Sequence, residues 1–282
     1  MQNPSSMAHP ESAGPESGLP EDAIPWHAIE REAVVNEEEL FYLVATASFV
    51  KTASSLDAVK LVDYFSDDIE VGGWLNLHWQ HEEMQHGQIL KHYVQSVWPQ
   101  FDWNSAYQFF FMEYAPKCLS APLEDMRSLE MASRYVMEMC AAGYYEALSH
   151  LRQDPILGIV AQRIREDELR HCQHFYRYFI RYRESENTHR AQVLRTLLHR
   201  LRMYDGNASL VALKHVYGAC HPSEPFDMSI YLSMQRRCRR LFMRYFPNKM
   251  NTRALLKPLE LGVVTRRIAL PIVSVMARRI MA

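Results

Sequence analysis

The sequence predicts an all-α protein, and three observations carry that expectation. Only 10 of its 282 residues are Gly, while Leu, Met, Ala, Arg and Glu are abundant and Pro is scattered, a composition that suits helices. Apolar residues recur at spacings of three and four, as at Leu40, Leu43, Val44, Ala47 and Val50, which places them on one buried stripe of a helix. Helix-start signals stand before the long periodic runs. With 48% of its residues apolar, the chain can bury a real core as one large domain or two small ones.

Residues 1–25 are dominated by Pro, Ser, Gly and Glu and are expected to be disordered. Without a basic start or an apolar core, they read as neither signal peptide nor membrane span. From Trp26 onward the pattern is helical. "SDDIE" at 66–70 reads as a helix start, with Ser66 or Asp67 as cap and acids in the first turn; that helix runs to about Val97 and is stopped by Pro99. The aromatic, Pro-broken stretch 101–125 reads as a long crossover rather than a strand pair. A further helix covers roughly Leu129 to Gln153. Asp154 then caps another, with Pro155 at its first position, running to about Arg183. The expected organisation is a disordered segment 1–25, a helical body 26–185, and an extension 186–282 of shorter helices broken at Pro222, Pro225, Pro247 and Pro258.

The net charge of −2 conceals an asymmetry. From Met228 onward there are twelve Arg and Lys against one acid, Glu260, so the tail carries +11 and the remainder −13. A basic tail on an acidic body suits an anionic partner: a membrane surface, an acidic protein, or the body itself. The charge-free run Ile268 to Ala277 is too short to span a bilayer, but it suits an interfacial segment. Five cysteines, an odd number without a Cys-x-x-Cys pair, read as reduced thiols of a cytoplasmic protein. No phosphate loop, nucleophile elbow or zinc knuckle is present, and nucleic-acid binding has only the tail charge behind it, so no nucleic-acid partner is expected.

The chemistry concentrates in two places. "HWQHEEMQHG" at 78–87 contains Glu83 and His86, three apart and therefore on one helical face. "REDELRHCQHFYRYF" further on contains Glu168 and His171 at the same spacing. Carboxylates bridge hard cations and offset their charge, while an imidazole holds each metal and leaves positions open. Two Glu-x-x-His motifs on separate helices, each paired with a helix that supplies one more Glu, form the layout of di-iron carboxylate bundles. "WQHEEMQHGQILKHY" (79–93) resembles the W-x-x-E-E-x-x-H-G-x-x-L-x-x-Y segment of soluble acyl-carrier-protein desaturases, and "DELRH" (167–171) resembles their D-E-x-R-H segment. The resemblance covers the two motif helices, about a tenth of the chain. It implies a ferritin-like four-helix bundle with a long crossover between its second and third helices. It also implies a non-haem iron, dioxygen-dependent oxidoreductase acting on an apolar or acyl-type substrate, carrier-bound or free. With no flavin, haem or iron–sulfur motif visible, electrons would come from an external reductase. A homodimer stays open as an assembly state.

In such bundles a partner carboxylate lies about thirty residues before each Glu-x-x-His. That spacing selects Glu138, thirty before Glu168, over Glu146, which is 22 before it. The expected metal ligands are Glu83, His86, Glu138, Glu168 and His171. The sixth position departs from the pattern. Residues 45–53 hold no acid, and Lys51 stands 32 before Glu83. On a continuous helix Glu38 would lie ~20 Å from the level of Lys51, so Glu37, Glu38 and Glu39 can serve only if the helix ends near Ser54. We favour Lys51 in the sixth place. An ammonium does not coordinate metal, and four outcomes follow. There can be one metal, with Lys51 pairing a leftover carboxylate such as Glu83; no metal; a neutral lysine near substrate; or a lysine that reaches solvent. Lys51 and Tyr145 are the candidate catalytic residues. Trp79, Tyr93 and Tyr145 suit either electron transfer or aromatic packing, and packing is the plainer role. Asp167 and Arg170 are expected to orient imidazoles, with His174 a further candidate. The alternative to an enzyme is a degenerate member of the superfamily with an incomplete metal site, serving as a binding or regulatory protein, at a membrane surface for instance.

Overall fold

The computed structural model describes residues 23–151, 154–203, 208–243, 253–262, 267 and 271, and it is all-helical, with no strand among them. Residues 1–22, and with them most of the segment expected to be disordered, lie outside the described residues, as do 244–252, 263–266, 268–270 and 272–282, which hold all but one residue of the run 268–277 expected to suit an interface. Ile24 is already buried in the core, ahead of a 3-10 turn at Trp26–Ala28.

A single turn, α1 (Arg31–Val34), leads into α2 (Glu38–Thr52). That helix is more enclosed than a one-sided stripe predicts: Leu40, Phe41, Tyr42, Leu43, Val44 and Ala45 are all buried in succession. It stops where Ser54 Oγ donates to the Lys51 carbonyl, and α3 (Ser54–Tyr64) continues as a separate helix. The next start is capped by Asp68, one residue beyond the expected Ser66 or Asp67; its side chain accepts from Val71 N. From there α4 (Ile69–Trp74) passes through a π-helical segment (Leu75–Trp79) into α5 (Gln80–Val97).

The stretch expected to be a crossover folds as a helix of its own, α6 (Trp103–Ser120), capped by Asp102 and tolerating Pro116. Its helical pattern is hard to read because apolar residues occupy both faces: Trp103, Ala106 and Phe110 are buried while Phe109 and Met112 are exposed. The two longest helices follow, α7 (Arg127–Ser149) and α8 (Pro155–Glu186). As the Asp-Pro pair predicts, Asp154 caps α8 by accepting from Leu157 N at 2.9 Å.

In the extension, α9 (Arg190–Met203) packs on α7, and α10 (Ala208–Cys220) packs on α2 and α6. α11 (Met228–Met243) reaches α2 and α7. Here the basic tail meets the acidic body: Arg237 binds Glu38 and Glu39, both at 2.8 Å. Lys257 lies 3.9 Å from the Tyr176 ring centroid. No helix among the described residues is long and apolar enough to cross a membrane. Among the described residues, Cys118, Cys140, Cys172 and Cys220 are not in disulfides.

Two helix pairs position the site: α2 against α5, and α7 against α8, with α5 also touching α8. The interior divides into two apolar clusters. One contains Phe49, Ile89, Tyr145 and Ile164; the other contains Trp79, Met139, Cys172 and Phe175. Along α5 the chain passes from Trp79 to Ile89, and along α8 from Ile164 to Cys172. The residues between, on both helices, are the charged ones.

Candidate metal centre

Between the apolar clusters lies a layer of buried polar side chains: Lys51, Glu82, Glu83, His86, Glu138, Asp167, Glu168 and His171, none more than 9% exposed. The Glu-x-x-His spacing puts Glu83 and His86 on the inner face of α5, and Glu168 and His171 on that of α8. Gly87 lets α5 meet α2 closely. A Cβ there would stand 2.7 Å from Thr52 N and 2.8 Å from Thr52 Cα, so only glycine permits the approach that brings Lys51 to Glu83.

The two imidazoles are locked reciprocally. His86 on α5 bonds through Nε2 to Asp167 Oδ2 on α8 at 2.8 Å. His171 on α8 bonds through Nε2 to Glu82 Oε2 on α5 at 2.7 Å. Arg170 spans both carboxylates, 2.5 Å from Asp167 and 3.4 Å from Glu82. Asp167 and Arg170 thus orient imidazoles as expected. The missed residue is Glu82, whose signal was the Glu-Glu doublet of the first motif. His174, the other candidate, stacks on Trp74 with centroids 4.7 Å apart.

With each Nε2 engaged, each Nδ1 faces inward. His171 Nδ1 is 3.4 Å from Glu138 Oε2, 3.7 Å from Glu83 Oε1 and 4.0 Å from Glu168 Oε2. His86 Nδ1 is 3.5 Å from Glu83 Oε1 and 3.4 Å from Glu168 Oε1. Both nitrogens and Glu168 Oε2 are buried without a hydrogen-bond partner among the described residues. Trp79 donates through its indole N–H to Glu138 Oε1 at 3.0 Å. Tyr93 packs in the core against Trp98. Glu146 turns away, held by Arg165 and by His150 at 3.1 Å.

Lys51 reaches the centre of the layer. Its Nζ donates to both oxygens of Glu83, at 2.6 and 2.7 Å, and to Glu168 Oε1 at 2.5 Å. The break after α2 that would free Glu38 and Glu39 to serve does occur, yet those acids bind Arg237 instead. Burial keeps Lys51 from reaching solvent, and the two carboxylates around it favour its charged form. Burial alone would lower its pKa, but Glu168 and Glu83 outweigh that and hold it well above the ordinary lysine value.

The same contest sets the other groups. Burial opposes charge on Glu168, yet Lys51 holds it well below the usual carboxylate range. Burial, followed by the neighbouring Glu168, pushes Glu138 up to about 8. Burial would lower His171, but Glu138 and Glu82 raise it to about 10.

Whether these residues suit a metal is decided by the orphaned atoms and the donor types. Glu83, Glu138, Glu168 and His171 each offer one ligand atom, all within 4.8 Å of one another. That set fits one cation, with His171 Nδ1 and Glu168 Oε2 needing a partner. His86 lies outside that set. The oxygens nearest His86 Nδ1, Glu83 Oε1 and Glu168 Oε1, are those that accept from Lys51.

A cavity of about 270 Å³ opens on this layer. Lys51, Glu83, Glu138, Trp79 and Tyr145 are among its lining residues, with Val50, Met137 and Tyr144 as further apolar lining and Asp57 and Arg134 as charged lining. The Lys51 Nζ stands 6.0 Å from the Tyr145 ring centroid. Comparison with protein-family models, with curated proteins and with solved structures gives no match to this chain.

Proposed function

We propose that this protein is a ferritin-like, non-haem iron oxidoreductase that uses dioxygen to oxidise an apolar, acyl-type substrate. The observation that supports this reading best is the pair of cross-locked imidazoles. Each has Nε2 fixed by a carboxylate from the opposite helix and Nδ1 directed at shared carboxylates, which is how metal-binding histidines are set in tautomer and direction. Glu83, Glu138, Glu168 and His171 would hold the metal, which when bound supplies the redox chemistry toward dioxygen.

The chain's own residues supply the rest. Met137, Val50 and the Tyr144 and Tyr145 rings would give an apolar substrate its contact surface in the cavity. Trp79 fixes the direction of Glu138 by donating to one of its oxygens. Asp167, Glu82 and Arg170 hold the two rings in place. With no flavin or haem motif in the sequence, an external reductase is the electron source. The basic tail would suit an acidic carrier protein delivering the substrate, where it is not engaged by Glu38 and Glu39.

The test is iron content per chain after expression with ample iron, by elemental mass spectrometry, followed by oxygen uptake with a chemical reductant and acyl substrates. Retained iron and substrate-dependent uptake, both lost in His171→Ala, are the expected results. Protein that retains no metal, or uptake equal to that of His171→Ala, would end this reading.

A further inference from the structure

We infer that the Lys51 ammonium is a built-in cation standing in place of a second metal, so that the centre takes one ion, on the His171 side. This rests on the reading of the polar layer as a metal centre. It adds which half of the layer is a binding site and what the lysine does there.

The layer has two halves around the shared carboxylates Glu83 and Glu168. In one half, His171 Nδ1, Glu138 Oε2 and Glu168 Oε2 are donors that Lys51 does not touch, and Glu83, which Lys51 holds through both oxygens, completes the four-donor set. In the other half, His86 Nδ1 faces Glu83 Oε1 and Glu168 Oε1. A cation there would need those two oxygens, and Lys51 Nζ already sits 2.6 and 2.5 Å from them. No carboxylate from α2 takes part, so this half has one imidazole and two shared oxygens whose charge is met by an ammonium.

The lysine is also fully committed. An ammonium has three N–H donors, and Lys51 makes three contacts, two to Glu83 and one to Glu168. It has no free N–H for a substrate and no lone pair for nucleophilic or base chemistry. Although it borders the cavity, its place is that of a fixed charge. Lys51 is therefore a positioning residue, which holds Glu83 and Glu168 so that their remaining capacity turns toward His171.

Mn(II) is the probe, because it binds carboxylate–imidazole sites without needing a redox partner. Calorimetry and paramagnetic resonance on the full chain compare wild type, Lys51→Glu and Lys51→Gln. Lys51→Glu replaces the ammonium by a carboxylate beside His86. It is expected to bind one more Mn(II) per chain than wild type, and the isolated-ion spectrum of wild type is expected to give way to that of a spin-coupled pair. Equal Mn(II) counts in the two folded proteins would overturn the inference, as would two ions per wild-type chain. Should Lys51→Glu fail to fold, Lys51→Gln decides. Its melting temperature should rise more with Mn(II) than that of wild type, and an equal or smaller rise counts against the inference. Wild type that binds no Mn(II) would remove the metal-centre reading, while the increment between wild type and Lys51→Glu tests the lysine separately.

Discussion

Glu82 and Asp167 do the same job from opposite helices, and neither belongs to the group that could hold a cation. Glu82 is held below its ordinary pKa: burial would raise it, but the His171 hydrogen bond outweighs burial. It is therefore an anion at neutral pH, fixing which ring nitrogen of His171 faces the shared carboxylates. Glu82→Gln and Asp167→Asn keep the shape and weaken that hold. Because Glu82 acts on the ring within the four-donor set and Asp167 on the ring beside Lys51, the two should differ. Glu82→Gln is expected to lower Mn(II) affinity by roughly 10–100-fold, the usual loss when such a partner is removed, and Asp167→Asn by clearly less. Calorimetric titration checks this, and equal losses would contradict the division into halves. At this scale the sequence was informative where spacing carries direction. Glu83, His86, Glu138, Glu168 and His171 follow from i, i+3 faces and the thirty-residue offset, and the structure brings all five into one layer. Glu82 was missed because adjacent residues on a helix point 100° apart, so a neighbour of a ligand reads as leaving the site. Only the packing of α5 against α8, invisible in one sequence, brings it to a residue of the partner helix.

Helix contacts decide whether those side chains meet. Gly87 is the clearest case, since an added Cβ would strike the Thr52 backbone, which cannot swing away as a flexible side chain could. Gly87→Ala should push α2 from α5 and destabilise by about 1–3 kcal/mol. Gly73→Ala in α4, where a Cβ meets nothing within 4 Å, should be neutral or stabilising by up to about 1 kcal/mol. Thermal unfolding of both variants is the check, and similar behaviour would remove the close-approach argument. A second junction is electrostatic. Glu113 on α6 binds Lys214 at 2.7 Å and His215 at 2.9 Å on α10, with Lys117 at 3.0 Å. The Lys214 hydrogen bond leads in lowering its pKa to about 2, burial opposing. A depressed carboxylate stabilises fully above its unfolded value, about 4.3, and loses that contribution as pH falls toward 2. Glu113→Gln should therefore lower the melting temperature more at pH 7 than at pH 3, with a loss of about 1 kcal/mol or less for a partly exposed cluster. A gap that widens on acidification would reverse the sign and refute it. Helix α8 is legible because its Asp154 cap and Pro155 at the first position agree; α7 carries no side-chain cap, and its start is read from the helical run alone. α6 was not legible, because its apolar residues serve two faces. Nor was the π-helical segment before Gln80, since nothing in local propensity marks an inserted residue.

The molecule as a whole is built as two apolar clusters separated by a charged sheet of side chains, and that arrangement is costly. Each buried polar atom left without a partner costs about 1–3 kcal/mol, and three such atoms, His86 Nδ1, His171 Nδ1 and Glu168 Oε2, lie in this layer. Lys51 offsets part of the carboxylate charge from within the chain. An ion bound among Glu83, Glu138, Glu168 and His171 would satisfy two of the three orphans and tie α5, α7 and α8 together across the gap between the clusters. Such a ligand binds the folded chain and not the unfolded one, because the four donors come from distant positions in sequence. Stability should then rise by about 2.7 kcal/mol at a free-ion concentration of 100 times the dissociation constant. For a domain of this size that is a rise of roughly 5–10 °C in melting temperature. Chelation should reverse the rise, and His171→Ala should show almost none of it. Hydrogen exchange should slow on both sides of the layer at once, in amides near Ile89 and Ile164 and in those near Met139 and Phe175, because the bound ion lies between the clusters. If exchange slowed on one side alone, the layer would be a feature of that cluster rather than the join between the two.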